Sequence, residues 1–314
     1  MKKQLIAVTA FLMTGSLVTV AQHFKVDAVQ QVRSGAPMGA FHPVFSPDGK
    51  SLLVTAEDYS GLAVVNLEKP SYRLISSMDG AGYKAEFSED GTTVIARNNH
   101  LDEQTMDLYA IDVKTAVAEE LVQGLEHTNR VSFKKGALNY AQKGKLRSKG
   151  VATRRLKAAT ATVFEDVFVT EEDLKIVVYR NGIPTVIDPL STPEKDVNYC
   201  WTELSPDKKK IVFVAGQDAY TCNIDGSGVK KIGNIRAPKW RDIDYIVGMN
   251  DTDDGHNLTS SDIVIVRNDG ADYQQLTNTS SDIKMFPSVS PDGNRIAYHT
   301  TRGEIYIMSI SENK

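Results

Sequence analysis

Phe45-Ser46-Pro47-Asp48-Gly49-Lys50 and Val289-Ser290-Pro291-Asp292-Gly293-Asn294 follow one pattern near opposite ends of the chain. A short apolar strand runs into Ser-Pro-Asp-Gly, and a second apolar strand follows. Pro presets φ for a turn, Asp bonds the nearby backbone, and Gly accepts a positive φ. Phe87-Ser88-Glu89-Asp90-Gly91-Thr92 and Leu204-Ser205-Pro206-Asp207-Lys208-Lys209 come close, and weaker copies centre on Phe133, Val169 and Trp240. These seven anchors lie 35 to 49 residues apart, a mean of about 41, which is the period of a four-stranded propeller blade.

The repeat predicts an all-β, seven-bladed β-propeller in one domain of residues 22–314. Six blades remain open, because the third and fourth copies lack the Pro-Asp-Gly turn. No segment carries a helical period. The last copy ends after its third strand, near Ile310. The segment Lys25 to Val32 belongs to no other blade and is expected to supply the missing outer strand, closing the ring and removing its free edges.

Residues 1–21 read as a signal peptide: Lys2 and Lys3, an apolar stretch from Leu5 to Val20, and small residues at Thr19-Val20-Ala21. The expected product is periplasmic or secreted, cleaved near Ala21, monomeric and without stable membrane insertion. Loss of the two lysines moves the formal charge from −4 to about −6, which does not suit nucleic acid. Cys200 and Cys222 fall on the first and third strands of one blade, about two strand spacings apart, so no disulfide is expected between them.

The Ser-Pro-Asp-Gly repeat resembles that of the TolB family of propellers, strongly in four copies and weakly in three. The TolB α/β domain that precedes the propeller has no counterpart here. The resemblance implies a binding or interaction module of the bacterial cell envelope, for a protein, a peptide or a glycan. Serine peptidases fused to such propellers carry a Gly-x-Ser-x-Gly elbow, which is missing here. Oligogalacturonate lyases are seven-bladed relatives that hold a metal through histidines from several blades. A metal-dependent saccharide lyase, using Mn and residues such as His42, His127 and His299, is therefore the alternative function.

Aligning the first strands by their anchors places His42, Lys84, Arg130, Asp166, Trp201, Ala237 and Phe286 at one level, three residues before each anchor. Titratable and aromatic residues converging on a channel mouth form a candidate ligand site, and its cations favour an anionic ligand. No nucleophile–base pair stands out, so binding is favoured over catalysis and no cofactor is required. For two further features plain solvated surface is the competing reading. The polar loop from Asn250 to Asn257 offers Asp251, Asp253 and Asp254 to a Ca²⁺ ion, although it fails the EF-hand pattern. Lys143, Lys145, Arg147 and Lys149, followed by Arg154, Arg155 and Lys157, form a basic stripe that could dock an anionic polymer or acidic protein.

Overall fold

A computed structural model describes residues 23–33, 35–36, 39–69, 71–126, 130–278 and 282–313. These residues form seven antiparallel sheets and no helix, arranged as the seven blades of a β-propeller. Ring closure follows the expectation: Phe24–Val32 pairs with Ile305–Glu312, with Gln31 opposite Tyr306 and Val32 opposite Ile305. Phe24 anchors this strand, fully buried.

Blades 1, 2, 5, 6 and 7 have four strands each, whereas blades 3 and 4 have three. Seven apolar clusters fill the seven seams between neighbouring blades, so each blade buries its faces only against its neighbours. The seam between blades 3 and 4 is the thinnest, with only Ala141, Leu146, Phe168, Val177 and Tyr179 as its apolar cluster. Polar groups occupy much of the rest. Asn139 is fully buried and, among the described residues, neither of its amide atoms has a partner, nor does the buried Thr170 hydroxyl, while Ser132 bonds Glu165.

The Ser-Pro-Asp-Gly turns work as the sequence implies. Ser46 Oγ donates to Asp48 Oδ1 at 2.6 Å, the same carboxylate accepts Lys50 N at 3.0 Å, and Ser46 Oγ accepts Ser51 N at 3.0 Å. Ser88 and Asp90, Ser205 and Asp207, and Ser290 and Asp292 repeat the bond. These turns define one end of the ring, here the turn end. The loops between second and third strands define the other, the mouth end.

The inner strand of blade 4, Val167–Glu172, runs opposite to the inner strand of blade 5, Cys200–Leu204. Its first neighbour, Asp166, pairs with Lys208 in the turn of blade 5. Its far end lies at the mouth: Tyr199 N donates to Leu174 O at 2.9 Å, as Gly82 N does to Tyr59 O and Ala40 N to Gly303 O in regular blades. Glu172 also accepts Gly144 N, in the mouth-end loop of blade 3, at 3.1 Å.

Strand parity explains the inversion. An even number of strands returns the chain to the end where it entered a blade, and three strands deliver it to the opposite end. Blade 3 therefore ends at the turn end. Residues 151–156 reach beneath blade 2 there, with Thr153 Oγ1 donating to Asp90 Oδ2 at 2.6 Å and Arg154 paired with Asp112, and the chain then returns across blade 3, where Ala159 N donates to Gly136 O at 2.9 Å. Blade 4 starts from that end, and its own three strands return the chain to the mouth. The common strand direction assumed for all seven first strands fails in blade 4.

The two cysteines are free. Cys200 opposes Val214 and Cys222 opposes Ile211, on separate strands. Burial pushes the Cys222 thiol up to about 12.

Candidate binding site at the channel mouth

Five of the seven aligned positions share a backbone conformation that L-residues rarely adopt. His42, Lys84, Trp201, Ala237 and Phe286 have φ between 46° and 51°. In blades 1, 5, 6 and 7 the register of the inner strand shifts across this residue, which marks a β-bulge. A bulge bends its strand and re-aims the side chain, at a cost in backbone strain. The same positive φ at five equivalent places, with a bulge at four of them, puts these residues at matching positions in their blades.

The bulges assemble an aromatic arc across blades 7, 1 and 2. His42 stacks on Tyr59 at 3.9 Å and meets Phe286 edge-on at 4.6 Å and His299 at 4.9 Å. Phe286 lies parallel to His299 at 5.6 Å, and Tyr59 meets Tyr83 at 5.3 Å. Burial pulls both imidazoles down to about 4, so they are neutral near pH 7. His42 Nε2 lies 3.3 Å from Glu57 O and His299 Nδ1 3.0 Å from Thr300 O, bonds that assign the proton to those nitrogens.

The remaining wall is charged. Lys84 Nζ lies 3.7 Å from Glu171, an ion pair that passes over blade 3 to join blades 2 and 4. Glu171 Oε1 also accepts Thr202 N at 2.6 Å. Burial holds the Lys84 ammonium below its ordinary range, opposed by Glu171. Arg130 donates to Val169 O at 3.1 Å and lies over the Phe168 ring. Arg97, fully buried, bonds the carbonyls of Tyr83 and Lys84. Cys200 sits among these charges; burial raises its thiol, Glu171 raises it further, and Arg236 and Lys84 oppose.

Of the seven aligned positions, His42, Lys84, Trp201, Ala237 and Phe286 occupy the mouth wall, with Arg130 beside the blade 3–4 seam. Asp166 does not join them. It lies exposed at the turn end, held by Lys208, and Glu171 takes the mouth position in blade 4. The sequence reading also missed Tyr59, Tyr83, Arg97 and Arg236. Tyr83 and Arg236 directly precede two of the aligned residues, and that adjacency was the available signal.

The polar stretch of blade 6 is a hairpin rather than the loop expected. Its strands extend through Asp253 and resume at Leu258, pairing Asp251 with Ser261. Asp251 faces Arg236, Asp253 Oδ1 accepts Gly255 N, and Asp254 Oδ1 accepts His256 N and Asn257 N. Among the described residues, no group of three or more His, Cys, Asp or Glu side chains is placed to hold a metal ion. His127 lies outside the described residues. The basic stripe is partly spent: Lys143 pairs with Glu126, Arg154 with Asp112, and Lys149 bonds Leu121 O.

No protein-family model matches the chain, and no curated protein matches it. Solved structures do match. A chain of a mitotic checkpoint complex is similar over 97% of this chain and 98% of its own, with TM-score 0.60 and 11% identity. A protein named as a TolB candidate from Agrobacterium tumefaciens aligns over 91% of this chain and 97% of its own, with TM-score 0.52 and 16% identity. The β-propeller domain of Myceliophteria thermophila Cps50 (Swd1) aligns over 92% and 100%, with TM-score 0.55 and 10% identity. At these identities the likeness is one of fold.

Proposed function

We propose that this chain is an exported binding module of the cell envelope, whose channel mouth takes a carboxylate-bearing ligand without turning it over. The observation that carries this reading is the set of five equivalent positive-φ residues, four of them at β-bulges. Strain repeated at one level, where it turns His42, Lys84, Trp201 and Phe286 into a single wall, fits a built site better than a passive opening. Aromatic faces beside fixed charges suit a small anionic ligand. Export rests on the sequence of residues 1–21, whose charged start, apolar middle and small-residue end match a cleaved leader. The protein neighbours of similar fold support a role in recognition, since propellers present loops and a concave mouth on a rigid ring.

The test is a glycan and peptide array on the mature chain, repeated with Lys84, Arg130 and Trp201 replaced by Ala. Loss of carboxylate-dependent binding in the triple variant, with its melting temperature checked separately, supports the reading. Ligands that bind the triple variant as well as the native chain place the site elsewhere.

A further inference from the structure

One guanidinium in the mouth is held in place without using its hydrogen-bond donors. Arg236 begins the inner strand of blade 6, Arg236–Trp240. It lies over the Trp201 ring, 5.9 Å from the centroid. Its Nε faces Asp251 Oδ1 at 3.9 Å, and both atoms are buried without another partner. That gap is too long for a direct hydrogen bond. Asp251 therefore fixes the inner edge of the fork electrostatically while Trp201 supports its plane. Among the described residues the guanidinium makes no hydrogen bond, and 25% of the side chain stays open.

The neighbouring cations are committed. Lys84 has Glu171, Arg130 has the Val169 carbonyl, Arg97 has two carbonyls and Lys239 has Glu203 at 2.9 Å. Beside Arg236 stands Ala237, the one small residue at a bulge position. Ala237 is itself buried, and the half-buried Trp201 and Phe286 both pack on the apolar cluster that contains it, which joins blades 6 and 7.

We propose that Arg236 and its aromatic neighbours bind the carboxylate of a sugar acid. Arg236 takes the carboxylate through its two terminal nitrogens, and Trp201 and Phe286 cover the C–H face of the ring. The proposal rests on the reading of the mouth as a ligand site. A guanidinium fork matches a planar carboxylate with two parallel bonds. Glu171 and Asp251 in the same wall disfavour a dianion such as phosphate. The wall supplies flat rings but, among the residues named above, no side-chain amide to pair with a peptide bond. A sugar ring therefore fits it better than a peptide terminus.

The test is calorimetric titration of the mature chain with four probes: a short glucuronic acid oligomer, a glucose oligomer of equal length, a tripeptide with a free carboxylate, and inorganic phosphate. The acidic sugar is expected to bind selectively. Arg236→Gln should weaken it by about tenfold or more, Arg236→Lys should recover part of that loss because the charge survives without the fork, and Asp251→Asn should weaken it by about threefold. Lys208→Gln at the turn end removes a charge remote from Arg236 and should change nothing. Thermal melts of each variant separate lost binding from lost folding. Equal binding by native chain and Arg236→Gln overturns the assignment of Arg236 while leaving a mouth site intact if the triple variant above still loses binding. Preference for the peptide or phosphate overturns the sugar acid. No binding of any probe overturns both this proposal and the reading beneath it.

Discussion

Blades 4 and 5 stand side by side, yet their inner strands run in opposite directions and their edges are finished differently. Blade 5 has its turn of the Ser-Pro-Asp type, its mouth bulge at Trp201 and a complete set of four strands. Blade 4 has a tight Asp173-Leu174 turn with both residues at positive φ, no bulge, and three strands. The comparison teaches that direction follows strand count rather than the turn motif. Blade 6 also lacks the Ser-Pro-Asp-Gly turn, yet it keeps four strands and its bulge at Ala237, whereas blades 3 and 4 have three strands each, and two such blades in succession keep the ring in phase.

An open third strand needs protection from edge-to-edge pairing. Blade 3 places Lys145, Arg147 and Lys149 on its third strand, Lys145–Gly150. Blade 4 uses Pro184. Arg180 and Ile183 close the two-residue turn, so the next residue directs its backbone nitrogen outward, and proline has no N–H to offer a partner. The exposed Ile183 and Val186 on that strand make this protection necessary. Blade 7 instead takes an outer strand from the far end of the sequence.

The largest expected effect separates these two solutions. Deleting residues 23–32 strips blade 7 of a strand that includes fully buried Phe24, and it exposes an edge strand, Ile305–Glu312, whose one charge lies at its end and which has no proline. Burial of one such aromatic is worth roughly 2–3 kcal/mol, and the ladder bonds add to it. The truncated chain should aggregate and lose its cooperative melt. A monomeric variant melting within a few degrees of the full chain would show that blade 7 tolerates three strands as blades 3 and 4 do.

A smaller effect tests how the thin seam is filled. Segment 157–163 crosses blade 3, where the Gly150 backbone meets the Ala159 carbonyl so closely that a Cβ would collide with it. The φ of Gly150 is not positive, so the constraint is steric alone. Gly150→Ala should cost about 3 kcal/mol, seen as a lower denaturation midpoint. Gly144→Ala, where nothing lies near the added Cβ but φ is 70°, should cost only about 1 kcal/mol. Equal costs at both sites would mean that the segment does not pack against blade 3 as described.

The seam between blades 7 and 1 should also respond to pH. His299 is 2% exposed, and burial holds it at about 4 in the folded state against about 6.5 unfolded. Its folded pKa is depressed, so the unfolded chain gains the proton first as pH falls. Stability is complete above about 6.5 and declines toward 4, by roughly 3 kcal/mol at the lower limit for this side chain. A His299→Leu variant should flatten that part of the melting-temperature profile. A profile unchanged by the substitution would locate the acid sensitivity in other groups.

Most of the fold was legible because the Ser-Pro-Asp-Gly turn is a local structure. Its serine, aspartate and glycine each act within five residues, so four strong copies fix four blades and the spacing places the rest. The N-terminal strand was legible from an unfilled position in the last blade. Blade 4 was not. Its facing residue toward blade 3 is Phe168, while Val169 packs into the seam with blade 5, so the anchor was one residue out, and a slip of one exchanges the two faces of a strand. The direction of the strand depends on how many strands precede it, which no local pattern records. Arg236 was overlooked for a different reason: its value comes from what Trp201 and Asp251 do to it, and those contacts span 35 and 15 positions in sequence.

The mildest perturbation decides which residue blade 4 contributes to the mouth. With the strand inverted, Glu171 meets Lys84 and Asp166 meets Lys208 at the opposite end. Glu171→Gln keeps an acceptor for Thr202 N and removes the negative charge that engages Lys84. An anionic ligand should then bind a few-fold more tightly, because one repulsion is gone and the ammonium is released; a difference of about 1 kcal/mol corresponds to roughly fivefold. Salt should erode this gain, since the added attraction is electrostatic. Asp166→Asn breaks an exposed pair worth little in stability and should leave affinity unchanged. The reverse outcome, with Asp166→Asn altering affinity and Glu171→Gln silent, would return blade 4 to the direction of its neighbours and put Asp166 at the mouth.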